Sequence, residues 1–201
     1  MNQAQDKEVQ KQLSDSLKIE SQWILAENGG NFILWGVLVI ISWVLTYIVN
    51  EYEIAEHLGW LYVVLYGSGW GYMIYSSKKE AKREKSNPLT IRMTAAIWLS
   101  VLGTASLVAL FGSISKTIDL DHLGAIIFSM LGIAYFMQGV MVDKKWVRNL
   151  AFGWWGGSVL LYFVTGLWAG ILSSLMMVGL QIIPGIIFVL QWKPQLLSAK
   201  D

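Results

Sequence analysis

Six long apolar stretches decide what this chain can fold into. They cover 32–50, 57–76, 90–113, 120–142, 146–165 and 168–191, and no Asp, Glu, Lys or Arg stands in the interior of any of them. An apolar helix needs about 20 residues to cross a hydrocarbon core of about 30 Å. In that core every backbone N–H and C=O must be satisfied within the protein, which leaves helices or closed barrels. The pattern predicts an all-α polytopic membrane protein, a bundle of six transmembrane helices. The fifth and sixth stretches are separated only by Thr165-Gly166-Leu167. A single helix over 146–191 would be about 69 Å long at about 1.5 Å per residue, over twice the core thickness, so the chain must turn there. Composition agrees: 55% of residues are apolar and 14% are charged, against about 25% charged in soluble domains.

The basic residues set an orientation. Lys7, Lys11 and Lys18 precede the first stretch; Lys78, Lys79, Lys82, Arg83, Lys85 and Arg92 surround the second connection. Lys144, Lys145 and Arg148 mark the fourth connection, and Lys193 and Lys200 the end of the chain. These alternate segments hold 14 of the 15 Lys and Arg residues, Lys116 being the exception. Short loops rich in Lys and Arg stay on the cytoplasmic side. The chain is therefore expected in an inner membrane with both termini cytoplasmic. The cluster Lys78, Lys79, Lys82, Arg83 and Lys85 is read as a topology determinant, with attraction to anionic lipid as a by-product. No cleavable signal peptide is legible in the polar first 31 residues, so the first span is expected to direct insertion itself.

Within that polar segment, Val9, Leu13, Leu17 and Ile24 fall on one helical face, with Lys7, Lys11 and Lys18 opposite. This predicts an N-terminal amphipathic helix at the cytoplasmic membrane surface or under the bundle. Asn28-Gly29-Gly30-Asn31 is expected to stop it, because Gly and Asn tolerate the left-handed cap conformation. Three regions follow: a helix and linker over 1–31, a membrane domain over 32–192 and a cytoplasmic tail over 193–201. Trp60 and Trp168 are expected as outer interfacial anchors, and Trp35, Trp146 and Trp192 as inner ones.

Helices in lipid associate through small residues that let backbones approach, since burying Leu from lipid gains little. The expected inward faces carry Gly67 and Gly71; Ala96, Ser100, Gly103 and Thr104; Ala125, Ser129, Gly132 and Gly139; Gly153 and Gly157; and Gly170, Ser174, Gln181 and Gly185. The same small-residue patterns would also serve a homo-oligomer.

Two constellations carry candidate chemistry. The tetrapeptides Glu56-His57-Leu58-Gly59 and Asp121-His122-Leu123-Gly124 stand 65 residues apart, and at that offset Gly67 meets Gly132 and Lys79 meets Lys144. This suggests two related helical hairpins. His57 and His122, the only histidines, would form an outer-face metal or pH-sensing site if they met; otherwise they are helix starts beside favourable acids. In the last span Pro184 removes one backbone hydrogen bond, and with Gly185 beside it a kink is expected. Gln181, Ser174 and Gln138 would line a solute pathway there, or the two glutamines would bond between helices.

The chain has no cysteine, no P-loop, no HExxH or GxSxG motif and no intramembrane acid or base. No cofactor, catalytic residue or nucleic-acid partner is expected. The run from Ser16-Leu17-Lys18-Ile19 to Asn28-Gly29-Gly30-Asn31, the opening Phe32-Ile33-Leu34-Trp35-Gly36 and the ending Gly179-Leu180-Gln181-Ile182-Ile183-Pro184-Gly185 resemble a set of small six-helix inner-membrane proteins common in Bacteroidetes-type genomes. That resemblance implies a fold and a membrane, and no activity. The reading is a non-enzymatic interaction, regulatory or scaffold protein, touching lipid, a second copy or a membrane or cytoplasmic partner. Its alternative is a small-solute transporter or channel subunit with its path beside Gln181 and Pro184.

Overall fold

The computed structural model describes residues 3–51, 58–81, 88–115 and 120–192, and the described chain is helical almost throughout. In chain order the helices are α1 (Gln3–Glu51), α2 (Leu58–Ala81), α3 (Pro88–Ser115), α4 (Leu120–Met141), α5 (Lys145–Leu161) and α6 (Gly166–Met177). The last rod continues through a π-turn (Val178–Ile182), a short α7 (Ile183–Ile187) and a second π-turn (Phe188–Trp192). Four helices are long and apolar enough to cross a membrane, in α1, α3 and α4 and along Gly166–Trp192. The other two fall short for visible reasons. Six aromatic residues and four glycines dilute the apolar content of α2, and α5 has only 17 residues.

The first helix departs from expectation. It runs 49 residues without a break, through Asn28-Gly29-Gly30-Asn31. At about 1.5 Å per residue it is roughly 73 Å long. The side chains at the expected stop serve the helix instead. Asn28 Nδ2 donates to the Ile24 carbonyl at 2.9 Å, and Asn31 Nδ2 donates to Asn28 Oδ1 at 3.0 Å. Gly29 is a crossing point: a Cβ there would lie 2.7 Å from Val189 Cγ2 and 2.8 Å from the Gly185 carbonyl oxygen. A Cβ on Gly185 would in turn lie 2.9 Å from the Gly29 oxygen. The glycine that looked like a terminator lets two backbones touch, which is the use of small residues that lipid favours.

The core lies around α4, which packs against α5, α3 and the last rod. Gly139 lies against the backbone of Arg148 and Gly132 under the Trp155 indole, with no room for a side chain at either, and Gly157 lies against the flexible end of Met176. A Cβ on Gly153 would meet Leu180 at 2.8 Å. The α4–α5 turn fixes this hairpin. Lys144 N–H donates to the Gly139 carbonyl and Asp143 N–H to the Val140 carbonyl, both at 3.2 Å, the pattern of a Schellman cap. Asp143 holds the left-handed position, at φ 53°, that glycine usually fills.

For the outlying helices the expected inward faces are reversed. Gly67, Gly71 and Gly103 have open space where a side chain would go, and Ala96, Ser100 and Thr104 are exposed. Instead α2 turns Tyr62, Tyr66 and Gly69 towards α1. Tyr66 Oη donates to Ser42 Oγ at 2.9 Å, and Tyr62 Oη hydrogen-bonds Thr46 Oγ1. The Trp35 ring stacks on Tyr66 with centroids 6.2 Å apart. In the same way α3 buries Thr94, Ile97 and Ala105. Hydroxyls without partners cost more in hydrocarbon than exposed glycines do, so the tyrosines decided the face of α2.

Candidate functional site

The buried centre of the bundle is aromatic with a few neutral polar groups. Tyr135, fully buried on α4, contacts Trp98 from α3 edge-on at 5.6 Å between centroids and stacks with Trp154 from α5 at 6.0 Å. Phe32 from α1 touches Trp98 at 4.9 Å and Phe188 at 5.6 Å. Tyr135 Oη donates to Gln181 Oε1 at 2.8 Å. Gln181 is 5% exposed and Gln138 is 1% exposed. The two glutamines were candidates to bond each other. Tyr135 occupies the Gln181 carbonyl oxygen instead, and neither amide atom of Gln138 has a hydrogen-bond partner among the described residues. Tyr135 belongs to no sequence motif. Its signal was present: an aromatic with a hydroxyl, three residues before Gln138, at a depth where interfacial anchoring does not apply.

Beside Gln181 the last rod changes its winding. Pro184 has no N–H for the Leu180 carbonyl, and its ring crowds that turn. The chain responds with the π-turn Val178–Ile182, closed by a bond from the Ile183 N–H to the Val178 carbonyl. Such π-turns recur at functional sites in helices. Here Pro184 and Gly185 are buried, with Gly185 against Gly29.

Ser174 lies elsewhere. It faces an apolar groove between the distal part of α1 and α6. His122 is half-buried, its ring stacked on Tyr162 with centroids 5.7 Å apart. His57 lies outside the described residues, as do Lys82, Arg83, Lys85 and the tail over 193–201, and the side chains of Lys78 and Lys79 also fall outside them. Among the described residues no three of His, Cys, Asp and Glu cluster as metal ligands. The suggested hairpin repeat breaks in its packing, since Gly67 is open and Gly132 lies under Trp155.

The tryptophans divide differently from expectation. Trp60 and Trp168 are largely exposed. Trp192 is buried, and the half-buried Trp146 packs on it and on Phe188, so both expected inner anchors pack into or against the core. Trp35 likewise has its indole nitrogen buried.

One ionic contact ties α1 to this core. Lys18 Nζ lies 3.0 Å from Asp143 Oδ2 and 3.6 Å from Asp15 Oδ1. The hydrogen bond and charge of Asp143 hold the Lys18 ammonium above its ordinary 10.5, and Lys18 holds the Asp143 carboxyl below its ordinary 3.8. Just beyond this contact Ser21, Ile24, Leu25 and Ala26 are buried. Before it Val9 and Leu13 are 59% and 55% exposed. Comparison with known protein families, curated proteins and solved structures finds no match for this chain.

Proposed function

We propose that this chain is a six-span inner-membrane protein, both termini cytoplasmic, that works through contacts made by the first part of α1 and carries out no catalysis. One observation carries the reading. The helix α1 is continuous from its exposed start to the far end of its apolar stretch. Of its roughly 73 Å, about 30 Å suffices to span hydrocarbon, which leaves a stiff arm of about 40 Å. The root of the arm is packed at Ser21–Ala26, and its tip presents Val9 and Leu13 among Lys7, Glu8 and Lys11. A rigid arm seated in the bundle is suited to hold a partner at a fixed height above the membrane. What favours contact over transport is the packing around Gln181, which is bonded to Tyr135 and closed in by aromatic rings.

Affinity purification in mild detergent, with crosslinking before lysis, tests this. The expected result is a co-purifying protein that is lost in a Val9→Asp/Leu13→Asp double variant still present in the membrane. Recovery of the chain alone, together with solute flux in liposomes, would replace this reading with the transport one.

A further inference from the structure

Several hydroxyls in these helices return to their own backbone. Ser42 Oγ donates to the Val39 carbonyl at 2.7 Å, Thr46 Oγ1 to the Ser42 carbonyl at 2.7 Å and Ser100 Oγ to the Ala96 carbonyl at 2.6 Å. A helix offers every Ser and Thr a carbonyl three or four residues back. Thr94 on α3 does not use it. The residue is 7% exposed, and its Oγ1 is buried with no hydrogen-bond partner among the described residues. One turn along the same face of α3, Trp98 Nε1 is buried and likewise unpartnered among the described residues. Two unpaired polar atoms side by side in a folded interior need a common explanation, because buried polar groups in native proteins find partners.

The neighbouring helix supplies a third group. Gln22 of α1 meets the Val142 carbonyl just after α4, and Trp43 of α1 lies 3.7 Å from where a Cβ on Gly124 near the start of α4 would stand. The helices α1 and α4 are therefore antiparallel. A short connection between Ser115 and Leu120 makes α3 and α4 antiparallel too, so α1 and α3 run the same way. They touch where Phe32 meets Trp98, with ring centroids 4.9 Å apart. One turn back along each helix stand Asn28 and Thr94, at one level. Asn28 Oδ1 accepts one bond, from Asn31 Nδ2 at 3.0 Å, and a carbonyl oxygen has two lone pairs.

The chemistry selects an occupant. The Trp98 N–H needs an acceptor, the Asn28 oxygen takes a donor, and the Thr94 hydroxyl serves as either. A cation cannot accept from the N–H, and a halide cannot donate to the oxygen. Water does both, and buried waters make about three hydrogen bonds. We propose that one buried water bridges Trp98 Nε1, Thr94 Oγ1 and Asn28 Oδ1. It accepts from the indole, donates to Asn28 and shares its third bond with the Thr94 hydroxyl. The water joins α3 to α1 and fixes the Trp98 ring, which packs on Phe32 and on Tyr135. Through that contact it steadies Tyr135 for its bond to Gln181.

The test uses the full-length protein in detergent micelles, with isotope-labelled tryptophan and nuclear magnetic resonance. The Trp98 indole signal is identified by its loss in Trp98→Phe. Magnetisation is expected to pass from water to the Trp98 N–H, and not to that of Trp155, which donates to the Ser129 carbonyl. Thr94→Val is expected to abolish this transfer and to lower Tm by about 2–4 °C, the shift of a typical single hydrogen bond in a chain of this size. Thr94→Ser, which keeps the hydroxyl, keeps the transfer. If no water were bound, Thr94→Val would raise Tm, since it would remove an unpaired buried hydroxyl. Absence of transfer to Trp98 in the parent overturns the proposal, and so does a raised Tm in Thr94→Val. If Thr94→Val fails to fold, the transfer in the parent and its survival in Thr94→Ser decide the point.

Discussion

Two adjacent glycines in α1 have opposite environments, and substituting each by alanine gives opposite signs. Gly30 is exposed, with no atom within 4 Å of where its Cβ would stand. In a continuous helix Gly30→Ala removes backbone freedom from the unfolded chain and stabilises by about 0.5–1 kcal/mol. For a chain of this size that is about 1–4 °C in Tm. Gly29 is buried, and its Cβ would stand 2.8 Å from the Gly185 oxygen and 3.2 Å from Phe188 Cβ. Neither atom sits at the end of a flexible side chain, so the two helices must separate by several tenths of an ångström. Overpacking of that kind costs about 1–3 kcal/mol, against a gain of about 1 kcal/mol in helix propensity. Gly29→Ala is therefore expected to be neutral to destabilising by about 2 kcal/mol, and Gly29→Val to cost more. Thermal unfolding in detergent, followed by near-ultraviolet circular dichroism, measures both. A helix that ended at these glycines would give a different result, because a left-handed cap residue loses about 1–2 kcal/mol on gaining a Cβ. A lowered Tm for Gly30→Ala would therefore refute the continuous helix. Equal tolerance of alanine at 29 and 30 would refute the close crossing with Gly185.

Removing the buried hydroxyl in Tyr135→Phe leaves Gln181 Oε1 without its donor and is expected to cost about 0.6–1.7 kcal/mol in the same assay, the range for interhelical bonds in membranes. Gln138→Leu is expected to be stabilising by about 1 kcal/mol, since it removes a buried amide with no partner; a loss of stability would show that the amide is satisfied. Asp143→Asn keeps a side chain that tolerates the left-handed position but loses the bond to Lys18, so hydrogen exchange of residues 6–20 should accelerate with α4 and α5 unchanged. The pH dependence of this contact follows from the two shifts. Asp143 titrates below 3.8 when folded, so its stabilisation is present above that value and is lost as pH falls through the lower folded pKa. Lys18 titrates above 10.5, so its stabilisation is present below that value and is lost as pH rises through the higher folded pKa. Exchange of the arm should therefore be flat with pH, after correction for intrinsic rates, from about pH 5 to 9, and rise outside that window more in the parent than in Asp143→Asn, where Lys18 keeps only Asp15.

The number of helices was legible in the apolar stretches. Every described helix of the six overlaps its expected stretch, because an apolar run flanked by charges has few other ways to satisfy its backbone. The turn at Thr165-Gly166 followed from length alone, and in the structure Gly166 holds a left-handed φ of 59° there. The interruption near Pro184 was legible as well, since it follows from a missing N–H, although its form as a π-turn was not. Hidden from sequence was which face of each helix turns inward. A rule based on small residues placed the inward faces of α4 and α5 at Gly132, Gly139 and Gly157, where α4 packs on α5 and α5 on α6. It failed on α2, where Tyr62 and Tyr66 had hydroxyls to place and the glycines did not, and on α3, where Thr94, Ile97 and Ala105 are buried instead. Asn28-Gly29-Gly30-Asn31 shows the same limit: a glycine that permits a left-handed cap also permits a helix crossing, and only the presence of Gly185 opposite decides between them. Local chemistry and hydrophobic length are properties of the chain, so sequence determined the helices. Close approach and partner choice are properties of pairs of distant segments, so the crossing at Gly29, the Tyr135–Gln181 bond and the groove over Ser174 were decided only by the tertiary structure.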